Sequence, residues 1–490
     1  MKNILKIAIV LCLMATMMLM MASCDNLLNN LPIGEETTPE ETILDNTKPE
    51  DTKPEDSKPE ETTPHQHVEE LIEGRMPTCT ETGLTEGKVC ADCDEILKAQ
   101  ETIPATGHNE TLCDAVEPTC TETGLTAGNV CSACGEVFEG REKVSPLGHK
   151  VVDGVCTVCN AGESTGLALY LCDDKQSYYV AGVGACTDIG IIIPKEYKGL
   201  PVTTIGARAF LECGDIISIA VPDSVTSIGQ GAFELCSSLV SITFGENSNL
   251  TNIGKSAFNA CFNLTSITIP DSVTLIDENA FAQCVNLTSV LFGQDSQLKN
   301  IEMGAFVACG SLQNIAIPDG VEIIGTAAFT GCESLKSITI PDSVRGIGNQ
   351  AFAACINLTS ITFGENSRLN RIEESTFFGC VSLVSITIPY GVELIAENAF
   401  GSCLNLTNIT IPESVGVIGS AAFNACDIKK ITIPSSVKEI GELAFSSCVN
   451  LTHISFTGTK TQWEEIIKGT TWDDSIGDYV IYCTDGNIWK

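Results

Sequence analysis

Histidine is scarce in this 490-residue chain: four of its five copies lie before residue 150, leaving His453 alone in the long C-terminal region. General acid–base chemistry uses histidine more than any other side chain, although Asp, Glu, Lys and Tyr also serve, so the scarcity argues against an enzyme. Basic residues are few as well. Lys and Arg total 27 against 63 Asp and Glu, a net charge of −36 that repels nucleic-acid backbones and anionic lipid surfaces. Nucleic acid is therefore not an expected partner. Aromatic residues make up only 6 %, and the three tryptophans, Trp463, Trp472 and Trp489, all fall at the C-terminal end. Cysteine is the exception to this poverty. Its 25 copies divide mainly into three populations with different chemistry: Cys24, an early Cys/His segment, and a regularly spaced C-terminal column.

The start of the chain reads as delivery. Lys2 and Lys6 precede an apolar run from Ile7 to Met21, followed by Ala22, Ser23 and Cys24. This resembles a bacterial lipoprotein signal peptide (1–23) with Cys24 as the lipidated residue, although Met21 stands where leucine is usual. An ordinary signal peptide is the alternative, ahead of a retained transmembrane helix, for which the apolar run is short, and all three place the rest outside the cytoplasm. Residues 24–64 hold near-copies of Thr47-Lys48-Pro49-Glu50-Asp51. Such acidic, proline-bearing low complexity cannot bury enough apolar surface to fold, and it reads as a disordered tether.

Residues 65–162 carry a repeat with a period of 41: His67, Cys79, Cys90 and Cys93 recur as His108, Cys120, Cys131 and Cys134. The nine residues from Pro77 are identical to those from Pro118, which fixes the register, and His149, Cys156 and Cys159 form a third, shortened copy. Three thiolates and one imidazole make a closed tetrahedral Zn²⁺ set, with Cys-x2-Cys presenting two sulfurs. Each copy is poor in apolar residues, so structural zinc would supply folding free energy that a core cannot. Disulfides are the alternative in an oxidising compartment. Two frames are open: each His closes the set that follows it, or Cys79, Cys90, Cys93 and His108 make one site. Cys113 aligns with Ile72 and is not an expected ligand.

From residue 199 to 457 a different repeat returns every 22 to 25 residues, with Phe210, Phe233, Phe258, Phe281, Phe306, Phe329, Phe352, Phe377, Phe400, Phe423 and Phe445 in one column. A period in this range predicts a solenoid whose coils bury their apolar faces only against one another. In the cleanest copy, Ile338 and Ile340 alternate with Ser337 and Thr339, the period of a strand with one buried face. Pro341 ends the strand; Val344 and Ile347 point inward, and Gly348 permits a turn before Phe352, with room for little more than a helical turn. The fold class is thus a mostly β repeat solenoid with a parallel sheet, capped by residues 163–198 and 458–490. Each of the eleven phenylalanines is followed three residues later by a cysteine, from Cys213 to Cys448. Equivalent side chains in a column lack the converging geometry of disulfides and read as buried free thiols. The Asn-Leu-Thr triplets read as turn asparagine and core leucine.

The pattern Ile-x-Ile-Pro-x-Ser-Val-x-x-Ile-Gly-x-x-Ala-Phe-x-x-Cys-x-x-Leu resembles the BspA-like, Treponema-type leucine-rich repeat proteins, and the Cys/His copies are similar to short repeats that accompany them. The resemblance implies a bacterial surface protein that binds a host or neighbouring-cell protein or glycan, and it carries over no catalytic residue. Outward strand positions then form the candidate binding face: Thr243, Thr268, Thr339, Thr362, Thr387 and Thr410, interrupted at Leu291, at Lys430 with Thr432, and at His453. Threonine is also simply a good exposed strand residue. A cell-envelope scaffold without a dedicated ligand is the alternative function.

Overall fold

The computed structural model describes residues 66–144, 146–152 and 155–490. Cys24, the signal segment and the tether lie outside the described residues. Among those described, no helix is long and apolar enough to cross a membrane. Two compact units divide them: residues 66–111 with Val130–Phe138, and residues 112–129 with Glu139–Lys490. The third Cys/His copy falls in the same unit as the leucine-rich repeats.

In the first unit, Gly87–Cys90 pairs antiparallel with Glu69–Ile72 and with Ile96–Lys98. The sheet is small and mostly exposed; Cys79 and Cys90 are among the unit's few buried residues.

In the second unit, the alternation of Ser337–Ile340 appears as expected: Ile338 and Ile340 are buried, Ser337 and Thr339 exposed. These strands stack parallel and in register, as in Ser337–Ile340 on Ser360–Phe363 and Lys430–Ile433 on His453–Phe456. The Val-x-x-Ile stretch forms a second parallel ladder of two-residue strands, such as Ile323–Ile324 on Gly346–Ile347, rather than merely turning back.

The segment around Phe352 is not a helical turn. Gln350 and Ala354, either side of Ala351, Phe352 and Ala353, adopt left-handed φ of 59° and 56°. Left-handed conformations of non-glycine residues cost about 1–2 kcal/mol each. Here they turn alternate N–H groups out of the coil: Gln350, Phe352 and Ala354 donate to the carbonyls of Glu374, Thr376 and Phe378 in the next coil, at 2.8–2.9 Å. Ala351 and Ala353 instead close short turns on Gly348 and Gln350. This segment therefore donates to the following coil, whereas Gly348 in the adjoining ladder donates to Ile324 of the preceding one.

The core is continuous. All eleven ladder phenylalanines are fully buried, and their rings stack at 5.0–5.6 Å between centroids from Phe210 to Phe445. Trp472 closes the stack edge-on at 6.0 Å from Phe445, with Trp463 and Tyr479 packed around it. The short helix Lys460–Glu465 is held by a capping box between Thr459 and Gln462. At the other end Tyr178 packs edge-on against Tyr197, and Ile191 and Val180 are fully buried.

The cysteine column gains a reason. Cys355 Sγ donates to the Phe329 carbonyl at 3.2 Å, and the same contact to the preceding coil's phenylalanine recurs from Cys236 to Cys448. These thiols are free and buried, and burial pushes Cys355 up to about 12. At neutral pH iodoacetamide should leave Cys236 to Cys448 unmodified in the folded chain and alkylate them after denaturation. Native labelling of Cys355 at the rate of an exposed thiol would contradict the packing. Asn263, Asn286 and Asn357 donate across turns to carbonyls of the preceding coil at 2.8–2.9 Å, as turn asparagines should.

The three longer turns carry a steric condition. A Cβ on Gly245, Gly293 or Gly364 would lie 1.8–1.9 Å from a carboxylate oxygen of Asp223, Asp271 or Asp342 in the coil before. The same carboxylates receive the turn: Asn247 and Asn366 donate their backbone N–H to Asp223 and Asp342 at 3.2 and 2.9 Å.

Candidate metal centres and binding face

The ligands do not group by either expected frame. Cys79 joins His108, Cys131 and Cys134; Cys120 joins His149, Cys156 and Cys159; His67 joins Cys90 and Cys93. The first cysteine of the first and second copies crosses to the centre of the next, and among the described residues the first centre collects His67, Cys90 and Cys93. The reason is local: the His closes on its own Cys-x2-Cys turn, and the hairpin carrying the first cysteine projects away from that turn. Cys113 is half-buried and outside all three sets, as its alignment with Ile72 suggests.

Spacing within the sets suits a tetrahedral ion. Cys79 Sγ and Cys131 Sγ are 3.6 Å apart, as are Cys120 Sγ and Cys156 Sγ. Each His presents Nδ1 to the last cysteine of its set, at 3.4 Å for His108–Cys134 and His149–Cys159 and 3.6 Å for His67–Cys93. Zn–S bonds of about 2.3 Å and Zn–N bonds of about 2.0 Å give tetrahedral edges of about 3.8 and 3.6 Å. Bonded sulfurs would be only about 2.0 Å apart, and all these cysteines are free thiols.

The electrostatics fit as well. Burial and the neighbouring Cys131 and Cys134 push the Cys79 thiol up to about 11. Burial also opposes ionisation of Cys131, yet the backbone N–H groups of Cys134, Ala133 and Asn109, with His108, outweigh it and hold this thiol down at about 5. The third set repeats the division, with Cys120 pushed up to about 12 and Cys156 held down at about 6 by the N–H groups of Cys159 and Val158 against its burial. Clustered sulfurs that cannot all ionise together need a cation to do so. Outer partners orient two of the rings: His108 Nε2 lies 3.1 Å from Glu136 and His67 Nε2 3.4 Å from Glu95.

The third centre has no such acid, because Ala161 stands at the corresponding position. Its support is the solenoid. Cys120 and Cys156 pack with Ile192 and Ala220, His149 is buried, and a side chain at Gly190 would collide with His149 Nε2 at 2.5 Å. Thr243 Oγ1 donates to the His149 carbonyl at 2.7 Å.

This contact shortens the binding face. Thr243 faces the chain's own Cys/His module and is half-buried, whereas Thr268, Thr339, Thr362, Thr387, Thr410, Lys430 and Thr432 are exposed. Leu291 is exposed beside Thr268 in register. His453 is half-buried because its ring stacks on Tyr482, with centroids 5.5 Å apart and planes 9° from parallel. Tyr482 continues the row Thr432–Ser455. It belongs to the face rather than wholly to the cap, and its alternation in Val480–Cys483 was the available signal. The small residues Gly190 and Ala220, where the ladder elsewhere has Ser or Thr, were the signal for the covered region.

The BspA type leucine rich repeat model matches residues 203–336, 299–426 and 370–468, more than half of the chain. The chain belongs to this family. The matched span holds the Phe column, the Cys column and most of both parallel ladders, which run on beyond it at Gly190–Ile192 and Val480–Cys483. Among solved structures, a leucine-rich repeat protein from Bacteroides ovatus is 24 % identical, over 65 % of this chain and 98 % of its own, with a TM-score of 0.38. A leucine rich cell surface protein from Faecalibacterium prausnitzii is 26 % identical over 63 % of this chain and 98 % of its own, with a TM-score of 0.29. The pneumococcal vaccine antigen PcpA is 19 % identical over 66 % of this chain and 87 % of its own, with a TM-score of 0.41. No curated protein matches the chain. The family match stops short of the Cys/His copies, which stand on their own geometry.

Proposed function

We propose that the chain is a lipid-anchored protein of the bacterial cell surface whose solenoid contacts a host or neighbouring-cell protein or glycan. Cys24 carries the lipid, residues 24–64 form the tether, and the Cys/His copies hold structural Zn²⁺ between tether and solenoid. The observation that carries the reading is the exposed outer row of the sheet. It presents hydroxyls in register from Thr339 to Thr410 and ends on Lys430, Thr432, His453 and Tyr482. Solenoids use such extended faces for binding, and a cationic group beside stacked rings is where the repetition of hydroxyls gives way to distinct chemistry.

The test is binding to immobilised matrix proteins and surface glycans by the chain and by a Lys430→Ala, His453→Ala, Tyr482→Ala variant. Removing the three side chains should weaken binding by about 10-fold or more, the scale of one or two hot-spot residues, and leave thermal melting nearly unchanged. Full affinity in that variant and in a Thr339→Ala, Thr362→Ala variant would exclude this face. Absence of binding to all ligands, with loss of envelope integrity on deletion of the solenoid, would favour a structural spacer.

A further inference from the structure

The three tryptophans do not share one role. Trp463 and Trp472 are buried over the last coil and pack edge-on against each other. Trp489 is 75 % exposed, and among the described residues its ring stacks on no other. It lies on Gly486–Trp489, which pairs antiparallel with Val480–Cys483 at the end of the outer sheet. The register sets Trp489 beside Val480, in the row of Lys430 and His453, and Asn487 beside Tyr482, in the row of Thr432 and Ser455. Ile481 and Ile488 point into the core, so the alternation of a strand puts Trp489 and Asn487 on the outer face with Tyr482. From Lys430 to Trp489 this face crosses three strand spacings, about 14 Å.

We propose that this end of the sheet binds a carboxylate-bearing glycan, with sugar rings lying on Tyr482 and Trp489 and an acid group at Lys430. A pyranose offers a flat C–H face and a rim of hydroxyls. The negative face of an aromatic ring suits the first, and Thr432, Ser455 and Asn487, exposed between the rings and the lysine, suit the second. A protein-binding hot spot gathers its aromatic anchors in a desolvated centre, whereas these rings are separated by small polar side chains. Thr452 Oγ1 lies 2.8 Å from His453 Nδ1, and His453 stacks on one face of Tyr482, which steadies the tyrosine and leaves its opposite face for a ligand. Charge selects among sugars. Lys429 and Lys430 are exposed, and neither makes an ion pair among the described residues. The nearby acids are engaged: Asp427 accepts from Asn450, Glu413 from Thr457, and Asp485 from the Lys460 backbone N–H. In a chain of net charge −36, two such lysines beside exposed rings mark where an acidic saccharide meets attraction rather than repulsion. The inference rests on the reading of the outer row as a binding face.

The full chain is titrated with a hyaluronan hexasaccharide and with sialyllactose, both carboxylate-bearing, and with neutral chitohexaose. Binding is read by calorimetry and by protection of tryptophan emission from acrylamide, to which Trp489 is open while Trp463 and Trp472 are buried. At least one acidic saccharide should bind about 10-fold or more tightly than chitohexaose and shield the quenchable emission. Trp489→Ala should remove that emission and weaken binding by about 10-fold or more, the scale of a hot-spot side chain. Lys430→Gln should bring the acidic saccharide down to the level of chitohexaose. Both variants should melt as the unmodified chain does, since both side chains are exposed. Chitohexaose binding as tightly as the acidic saccharides would overturn the assignment of an acidic ligand, and full affinity in both variants would overturn the site. If no saccharide binds but immobilised matrix proteins do, and the Lys430→Ala, His453→Ala, Tyr482→Ala variant loses them, the inference falls and the binding face stands. If neither saccharides nor proteins bind, both fall.

Discussion

Phe352→Ala should destabilise the solenoid by about 3–5 kcal/mol, the cost of removing a fully buried aromatic side chain from a packed core. Phe352 is fully buried, with Phe329 stacked on one side at 5.3 Å and Phe377 on the other at 5.6 Å. No neighbouring ring can refill the gap, because each is already held between two others. In a solenoid each coil touches only its neighbours, so stability is nearly a sum of coil and interface terms. The damage should therefore be local. Hydrogen exchange should speed up for the amides of Phe352 and Ala354, whose bonds cross to the next coil, and remain slow near Phe233. A uniform acceleration along the whole array would show that the coils melt as one unit.

Cys156→Ser should remove a metal equivalent from the proposed zinc content and, with it, the docking of residues 139–166 on the first coils. Cys156 is both a ligand candidate and part of the small apolar cluster with Cys120, Ile192 and Ala220. Metal affinity at this centre should fall by more than the roughly 10- to 100-fold that loss of an outer partner costs. Limited proteolysis should then cut between residues 139 and 166 while the solenoid core stays resistant. Thr243→Val serves as the counterpart, since it deletes the hydroxyl that holds the His149 carbonyl and leaves the ligands untouched. It should retain the full metal content. Unchanged resistance to cleavage after loss of that equivalent would show that apolar packing alone holds the module.

The solenoid was legible in the sequence because its coils repeat one short instruction. Ile338, Ile340, Val344, Ile347 and Phe352 each return at fixed offsets, so period alone sorts buried from exposed. Handedness of the backbone was not legible: Gln350 and Ala354 are ordinary residues, and their left-handed φ is imposed by the inter-coil ladder rather than by their own preferences. The metal sets failed for a related reason. Spacing identifies which residues are ligands, but the direction in which the Cys79 hairpin projects is a property of the folded chain. That single direction decides whether Cys79 serves Cys90 or Cys131. The covering of Thr243 was hidden likewise, since a ladder position looks the same in sequence whether water or the chain's own module lies over it.

The contact of Asp342 with the Gly364 turn ties coils together as inherited units. Each Phe-Gly turn here follows a Pro-Asp coil whose carboxylate leaves no room for a side chain at the glycine, so a copying event that sets another residue at that position against the aspartate meets a clash. Events that carry the pair preserve the contact. The array thus has a grammar of couplets, and recombination between such genes should leave its breakpoints between couplets rather than inside them.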